Sequence, residues 1–391
     1  MTYQAILTAS VFLLIAFLID RVALKTGVPS VVALIASGML AKPLLAALGI
    51  EPYGLEQVVP VIGAVGLVLI VLEGAFDIEL KRERLRSAGW AILISFLGLI
   101  LCAMFLTISA KMFLGVGWLE ALVVSVPLSV ISSAVAISSS SFLPTKAREF
   151  VVYESSISDV LGILFFFSLI NSDGSFGGVL RDLLVGGVAS VVLALICALG
   201  LMYVLIRVGG HIRFIPLLAG LFAIYSAAEL MHLSPLIMVL LFGLIINNPS
   251  VLSRIPFFHV DIEERDETIA EFKTLTKELT FAVRGFFFVL LGLWTQISVF
   301  LSVEAWGVAL VVLAVIFSTR HILLHTAKID LADAMTWVAP RGLITVLLFM
   351  AAKQVVNVPP YVDGAMTIVV LLSSLAVVAA RAVHGRASSA S

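Results

Sequence analysis

Thirteen apolar runs, joined mostly by short polar loops, leave this chain few architectures. A bilayer offers no water to backbone N–H and C=O groups, so a spanning chain must satisfy them inside helices or a closed barrel. Uninterrupted apolar runs of about 18 residues or more mark helices. Spans are expected at 3–19, 28–48, 57–76, 89–111, 118–142, 147–170, 180–206, 214–231, 234–248, 279–297, 299–325, 331–356 and 363–383. The fold class that follows is an all-α membrane protein of about thirteen transmembrane helices. The run at 3–19 lacks a basic start and a small-residue cleavage site, so it reads as a first span, not a leader. Only 13% of residues are charged, against about 25% in a soluble domain. A net charge of -1 offers no field for nucleic acid.

Loop charge orients the chain. Eighteen of the 24 Lys and Arg residues fall in loops after odd-numbered spans or in the C-terminal tail. Arg320 is counted there, in the loop after the eleventh span. Four (Lys42, Lys111, Arg181 and Lys353) lie on the opposite side, and Arg284 and Arg341 lie inside spans. The positive-inside rule puts the N-terminus outside and the C-terminus in the cytoplasm. The segment 259–279 is charged, with Ile262, Ile269, Phe272, Leu275 and Leu279 at helical spacing. It reads as an amphipathic connector on the cytoplasmic face. The tail after Arg381 is short and rich in Ser and Ala, so no soluble regulatory domain is expected.

Two spans look broken. The fifth contains VISSAVAISSSS at 130–141, and the twelfth contains VAPRGLITV at 338–346. Pro and Gly interrupt helical hydrogen bonding, and hydroxyls re-satisfy freed groups. The two segments are seven spans apart, so they cross in opposite directions. Paired interruptions of opposite topology point to an inverted-repeat transporter.

The chemistry concentrates in ESSISDVLG at 154–162. On a helix Ser155 and Asp159 share a face one turn apart, while Glu154 points partly away. A carboxylate at mid-membrane is expensive, so it is paired or does work. Asp159 beside serine hydroxyls offers the oxygen ligands that Na⁺ or K⁺ prefers, and the same carboxylate can hold a proton. Arg284 needs a partner. Glu154 and Arg284 lie about seven and five residues into spans that run in the same direction, which places them at similar depth. A structural Glu154–Arg284 ion pair is therefore expected, leaving Asp159 free. Glu73, in VLEGAF at the end of the third span, is a cytoplasmic funnel residue, a further ligand or a solvated helix end. Arg341 is expected to neutralise half-helix ends and carbonyls at the twelfth-span break. No nucleotide-binding loop or zincin motif is present, so no cofactor is expected and any transport would be gradient-driven.

At these residues the chain resembles the monovalent cation/proton antiporter superfamily, in particular its NhaP-like sodium/proton exchangers. GVPSVVALIASGML (27–40), ESSISDVLG, AVRGFFFVLLGL (282–293) and VAPRGLITV carry the likeness. The resemblance implies an inverted-repeat fold with two broken crossing helices and a homodimer. It implies a dimerisation scaffold from 1–88 and 180–278, with some core contribution from 57–76, and an ion-translocating core from 89–171 and 279–383. It implies an ion or proton on Asp159, with Ser155 and Glu73 near the ion, and a Glu154–Arg284 bridge. It also implies a multi-pass protein of the plasma membrane, the inner membrane of a bacterium or archaeon. Two positions depart from the family pattern. Ser158 stands where Asn precedes the Asp, and Ser132, Ser133 and Ala134 stand where Thr-Asp-Pro is usual. Ser132, Ser133 and Ser158 therefore join the candidate ion site.

The functional expectation is antiport of one H⁺ against one Na⁺ or K⁺, without enzymatic activity. With Ser158 in place of a second carboxylate and Glu154 paired, one titrating group carries one positive charge in either state, so exchange is expected to be electroneutral. A carrier of small organic anions is the alternative, since half-helix N-termini bind carboxylates. An intramembrane aspartyl protease needs two adjacent catalytic carboxylates, and Asp159 has no second Asp nearby in sequence.

Overall fold

The computed structural model describes residues 2–26, 29–47, 55–76, 85–172, 176–181, 187–207, 214–230, 235–248, 262–295 and 297–384, all helix and connecting loop, with no strand among them. The helices are α1 (Thr2–Thr26), α2 (Ser30–Ala47), α3 (Leu55–Phe76), α4 (Leu85–Leu114), α5 (Trp118–Ser129), α6 (Ser133–Ser139), α7 (Thr145–Asn171) and α8 (Phe176–Arg181). They continue with α9 (Gly187–Arg207), α10 (Phe214–Leu230), α11 (Pro235–Asn247), α12 (Ile262–Trp294), α13 (Val303–Thr326), α14 (Ala332–Thr336), α15 (Leu343–Val355) and α16 (Pro360–His384). A 3-10 turn, Ile297–Leu301, joins α12 to α13. Each of the thirteen expected spans overlaps helix among the described residues, and residues 182–186 of the seventh lie outside them. Among the described residues, six stretches are long and apolar enough on their own to cross a membrane.

The helices pack as two groups. One is α1 to α3 with α9 to α12, and the other is α4 to α7 with α13 to α16. They meet where α3 packs on α15, α7 on α11 and α2 on α16. Within the first group α2 and α12 cross almost backbone to backbone. A Cβ on Gly38 would stand 2.1 Å from the Val289 carbonyl oxygen, and one on Gly292 would stand 2.2 Å from that of Ile35. No larger side chain fits that crossing.

The charged stretch before the tenth span is not a separate surface helix. Ile262–Trp294 is one helix of 33 residues, because no Pro or Gly interrupts it before Gly285. Within its apolar stripe Ile269 and Phe272 are buried, and Leu275 and Leu279 are half-buried. Phe272 lies against the rings of Phe76, Phe214 and Phe242. Residues 259–261 of the expected connector lie outside the described residues. The Thr280 hydroxyl donates to the Leu69 carbonyl at 3.3 Å and ties α12 to α3. Residues 279–294, expected in the translocating region, thus pack on α1, α2 and α3.

Candidate functional site

Both expected interruptions are present, and they touch. The fifth span runs as α5, an extended segment at 130–132, then α6; Val130 and Ser132 have extended backbone. The twelfth runs as α14, an irregular segment at 337–342, then α15. The Ser132 amide donates to the Pro340 carbonyl at 2.9 Å. Gly342 packs against the Ser132 side chain, and a Cβ there would lie 2.4 Å from Ser132 Oγ. Proline cannot sustain a helical ladder, and serine hydroxyls compete with it for backbone partners. The local sequence therefore opens the helices where their backbone groups find each other.

Four ends of half-helices converge here, and each needs compensation. Arg341 is only 2% exposed. Its Nε donates to the Leu128 carbonyl at 2.7 Å and its Nη1 to the Ala339 carbonyl at 3.0 Å, while Nη2 reaches the Ser129 carbonyl at 3.4 Å. The guanidinium thus closes the carbonyl end of α5 in the fifth span, whereas the sequence placed its role at the twelfth-span break, which only Nη1 serves through Ala339. The Arg341 amide donates to the Ser373 hydroxyl of α16 at 2.9 Å, a support the sequence reading missed.

The amide side of the first break is met by α7. The Ile131 amide donates to Ser158 Oγ at 3.0 Å, and the Ser133 amide, at the start of α6, donates to Asp159 Oδ2 at 3.0 Å. Gly162, one turn on, lets α7 approach: a Cβ would stand 2.2 Å from Val130 Cγ2. Ser158 thus holds the unwound backbone itself.

Asp159 is 4% exposed, and its second oxygen, Oδ1, has no hydrogen-bond partner. Ser132 Oγ at the crossing is likewise buried and unpartnered. Carboxylate and hydroxyl oxygens without donors are the chemistry of a hard-cation or proton site. Ser155, one turn before Asp159, is buried and donates its hydroxyl to the Val151 carbonyl at 2.7 Å, leaving its lone pairs unused by that bond. Glu73 is half-buried near the end of α3, and the next residue, Gly74, lies beside Ser133 at the start of α6. The structure therefore gathers Asp159, Ser132, Ser133 and Ser158 at the first break, with Ser155 a turn away.

The expected partner of Glu154 is wrong. Glu154 pairs with Arg320, not Arg284. Arg320 Nη1 donates to Glu154 Oε1 at 2.6 Å and Nη2 to Oε2 at 2.8 Å, a bidentate pair with both side chains almost wholly buried. Arg320 Nε also donates to the Met335 carbonyl of α14 at 2.8 Å. Glu154 and Arg284 were matched only by their positions along their spans, and α12, which carries Arg284, sits in the other group of helices. Arg284 is half-buried and meets no acidic side chain among the described residues. Arg320 is not a loop residue: α13 continues to Thr326. A signal was available, because Ala309, Val312, Leu313, Ile316, Arg320 and Leu324 fall on one buried stripe of that helix.

Behind the first break, a cavity of about 30 Å³ is lined by Glu154, Ser158, Arg320, Arg341, Ser95 and Cys102 among others. That is room for about two waters. Asp159 does not line it.

Comparison with known proteins completes the picture. Residues 9–382 match the family described as "Sodium/hydrogen exchanger, transmembrane". No curated protein matches. Among solved structures, the fold is similar to that of the sodium proton antiporter MjNhaP1 from Methanocaldococcus jannaschii at pH 8, with a TM-score of 0.77 at 18% identity over 98% of each chain. An electron-microscopy structure of MjNhaP1 gives a TM-score of 0.72 at 20% identity, covering 98% of this chain and 96% of that one. With nearly its whole length matched, this chain belongs to the sodium/hydrogen exchanger family, whose members are membrane transporters and not enzymes.

Proposed function

We propose that this protein exchanges one H⁺ for one Na⁺ or K⁺ without net charge movement, by alternating access around Asp159. One observation carries the reading. The Asp159 carboxylate is buried at the meeting of the broken helices, anchored through Oδ2 on the Ser133 amide, with Oδ1 unpartnered. An apolar interior disfavours a bare charge, so this group holds either a proton or a cation, and the two compete for one place. Ser132, Ser155 and Ser158 supply neighbouring oxygens, and Glu73, next to the Gly74 that lies beside Ser133, is a further candidate ligand. Glu154 and Arg320 neutralise each other. Arg341 is engaged with the carbonyls of helix ends. One variable carboxylate then means one charge carried in each direction.

In this reading α4 to α7 and α13 to α16 form the moving body. The group of α1 to α3 with α9 to α12 is the scaffold, through which two copies pair. The chain lies in the plasma membrane with its N-terminus outside, as loop charge suggests.

An organic-anion carrier needs a spare buried cation. The buried guanidiniums do not offer one: Arg341 is engaged with the Leu128 and Ala339 carbonyls, and Arg320 with Glu154 and Met335.

The test is exchange in proteoliposomes carrying an internal pH dye, challenged with Na⁺, K⁺ and Li⁺. Asp159→Asn should abolish exchange while the protein still elutes as a folded species. Undiminished exchange in that variant removes Asp159 from the mechanism, and charge movement per cycle under a membrane potential overturns the one-for-one stoichiometry.

A further inference from the structure

At the end of α13 that loop charge assigns to the cytoplasm, His321 and His325 lie one turn apart, and Asp333 of α14 faces them. All three are exposed, and one ligand atom from each lies within 4.8 Å of the others. The ring centroids of the two histidines are 3.9 Å apart.

The hydrogen bonding fixes the chemistry of His325. Its Nδ1 lies 2.8 Å from the His321 carbonyl oxygen. A carbonyl only accepts, so Nδ1 bears the hydrogen. In the neutral ring Nε2 then carries a lone pair. That lone pair points at Asp333 Oδ1, 3.1 Å away. Two electron-pair donors facing each other at that distance share a positive centre between them, either the proton of a charged imidazolium or a metal ion. A carbonyl-oriented imidazole opposed by a carboxylate is how proteins present histidine to a metal.

We infer that His321, His325 and Asp333 form a binding site for a divalent transition metal of the Zn²⁺ class, separate from the transport site. Two imidazole nitrogens and one carboxylate oxygen suit that class, with water completing a tetrahedron. Metal–ligand bonds of about 2.0–2.2 Å place tetrahedral ligand atoms about 3.3 Å apart. The Nε2–Oδ1 pair is already near that spacing, and rotation of the exposed His321 ring brings in the third. The bound metal would tie α13 to α14. Arg320 already joins the same two helices through the Met335 carbonyl, one residue before His321. The ion therefore braces the inner half of the broken twelfth span.

The site is tested on tag-free, full-length protein in detergent, with Zn²⁺ alone by calorimetry and Co²⁺ alone by its visible absorption. The expected result is one strong site per chain with the intense absorption of tetrahedral Co²⁺. Losing a ligand in His325→Ala, or in Asp333→Asn, should weaken binding by at least about 10–100-fold, the range seen when even an outer partner is removed. Both changes lie at exposed positions, so elution and metal-free melting should match the unaltered protein. Absence of a site in the unaltered chain overturns the assignment. So does equal affinity and stoichiometry in the His321→Ala/His325→Ala double variant, which keeps the other four histidines. Neither readout depends on transport.

Discussion

Removing one arm of the Glu154–Arg320 pair should cost far more than removing both. Glu154 is 2% exposed and Arg320 6%, so truncating the arginine strands a carboxylate that has lost two charge-assisted hydrogen bonds of 2.6 and 2.8 Å. Breaking a buried pair in this way costs about 3–5 kcal/mol. The same range applies to replacing Glu154, which leaves the guanidinium held only by the Met335 carbonyl. Replacing both residues with apolar side chains of similar volume leaves no uncompensated charge and is often close to neutral. The proposed cycle is Arg320→Leu, Glu154→Leu and the double variant. Unfolding in mild detergent is followed through the tryptophans, of which the chain has five. Each single variant should be destabilised by about 3–5 kcal/mol, and the double by less than either, so that the coupling exceeds about 3 kcal/mol. Additive losses would show that the two groups do not support each other. Arg284→Leu is the control. It removes a half-buried cation that meets no acid among the described residues, and should change stability by less than about 1 kcal/mol.

Other substitutions probe the breaks and the site. Gly162→Ala drives a methyl into Val130 Cγ2; valine is stiff about χ1, so overpacking should cost about 1–3 kcal/mol, and Val130→Ala should restore most of it in the same unfolding assay. Ser158→Ala leaves the Ile131 amide without its acceptor and should cost about 1–3 kcal/mol, measured likewise. Because cation and proton compete at Asp159, half-saturating Na⁺ in liposome exchange should rise as pH falls; one that stays constant with pH would mean that the two do not share the carboxylate. Phe272→Ala empties the centre of a cluster of phenylalanine rings and should lower stability by about 3–5 kcal/mol, with the thermal midpoint as readout.

Much of this protein is written locally. Apolar runs set the number of spans, because the length of a crossing helix depends only on bilayer thickness and rise per residue. The serines at 130–141 and Pro340–Gly342 mark where helices open, because backbone conformation is a nearest-neighbour property. The spacing of Ser155, Asp159 and Gly162 sets one face of α7. A cation beside freed carbonyls was legible at Arg341, but not that it reaches across to the Leu128 and Ser129 carbonyls of the other broken span. What the chain could not disclose along its length is which helices stand side by side. Hydropathy and depth place a residue along the membrane normal but carry no information within its plane. Arg284 and Glu154 could therefore be matched by position along their spans while lying in different groups of helices. Arg320, near the end of an apolar run, looked like a loop cation until packing turned its stripe inward. The meeting of Ser132 with Pro340, and of Ser133 with Asp159, likewise joins segments that only the assembled helices bring into hydrogen-bonding range. Contact in the membrane plane belongs to the tertiary structure, because it depends on every intervening helix finding its neighbour.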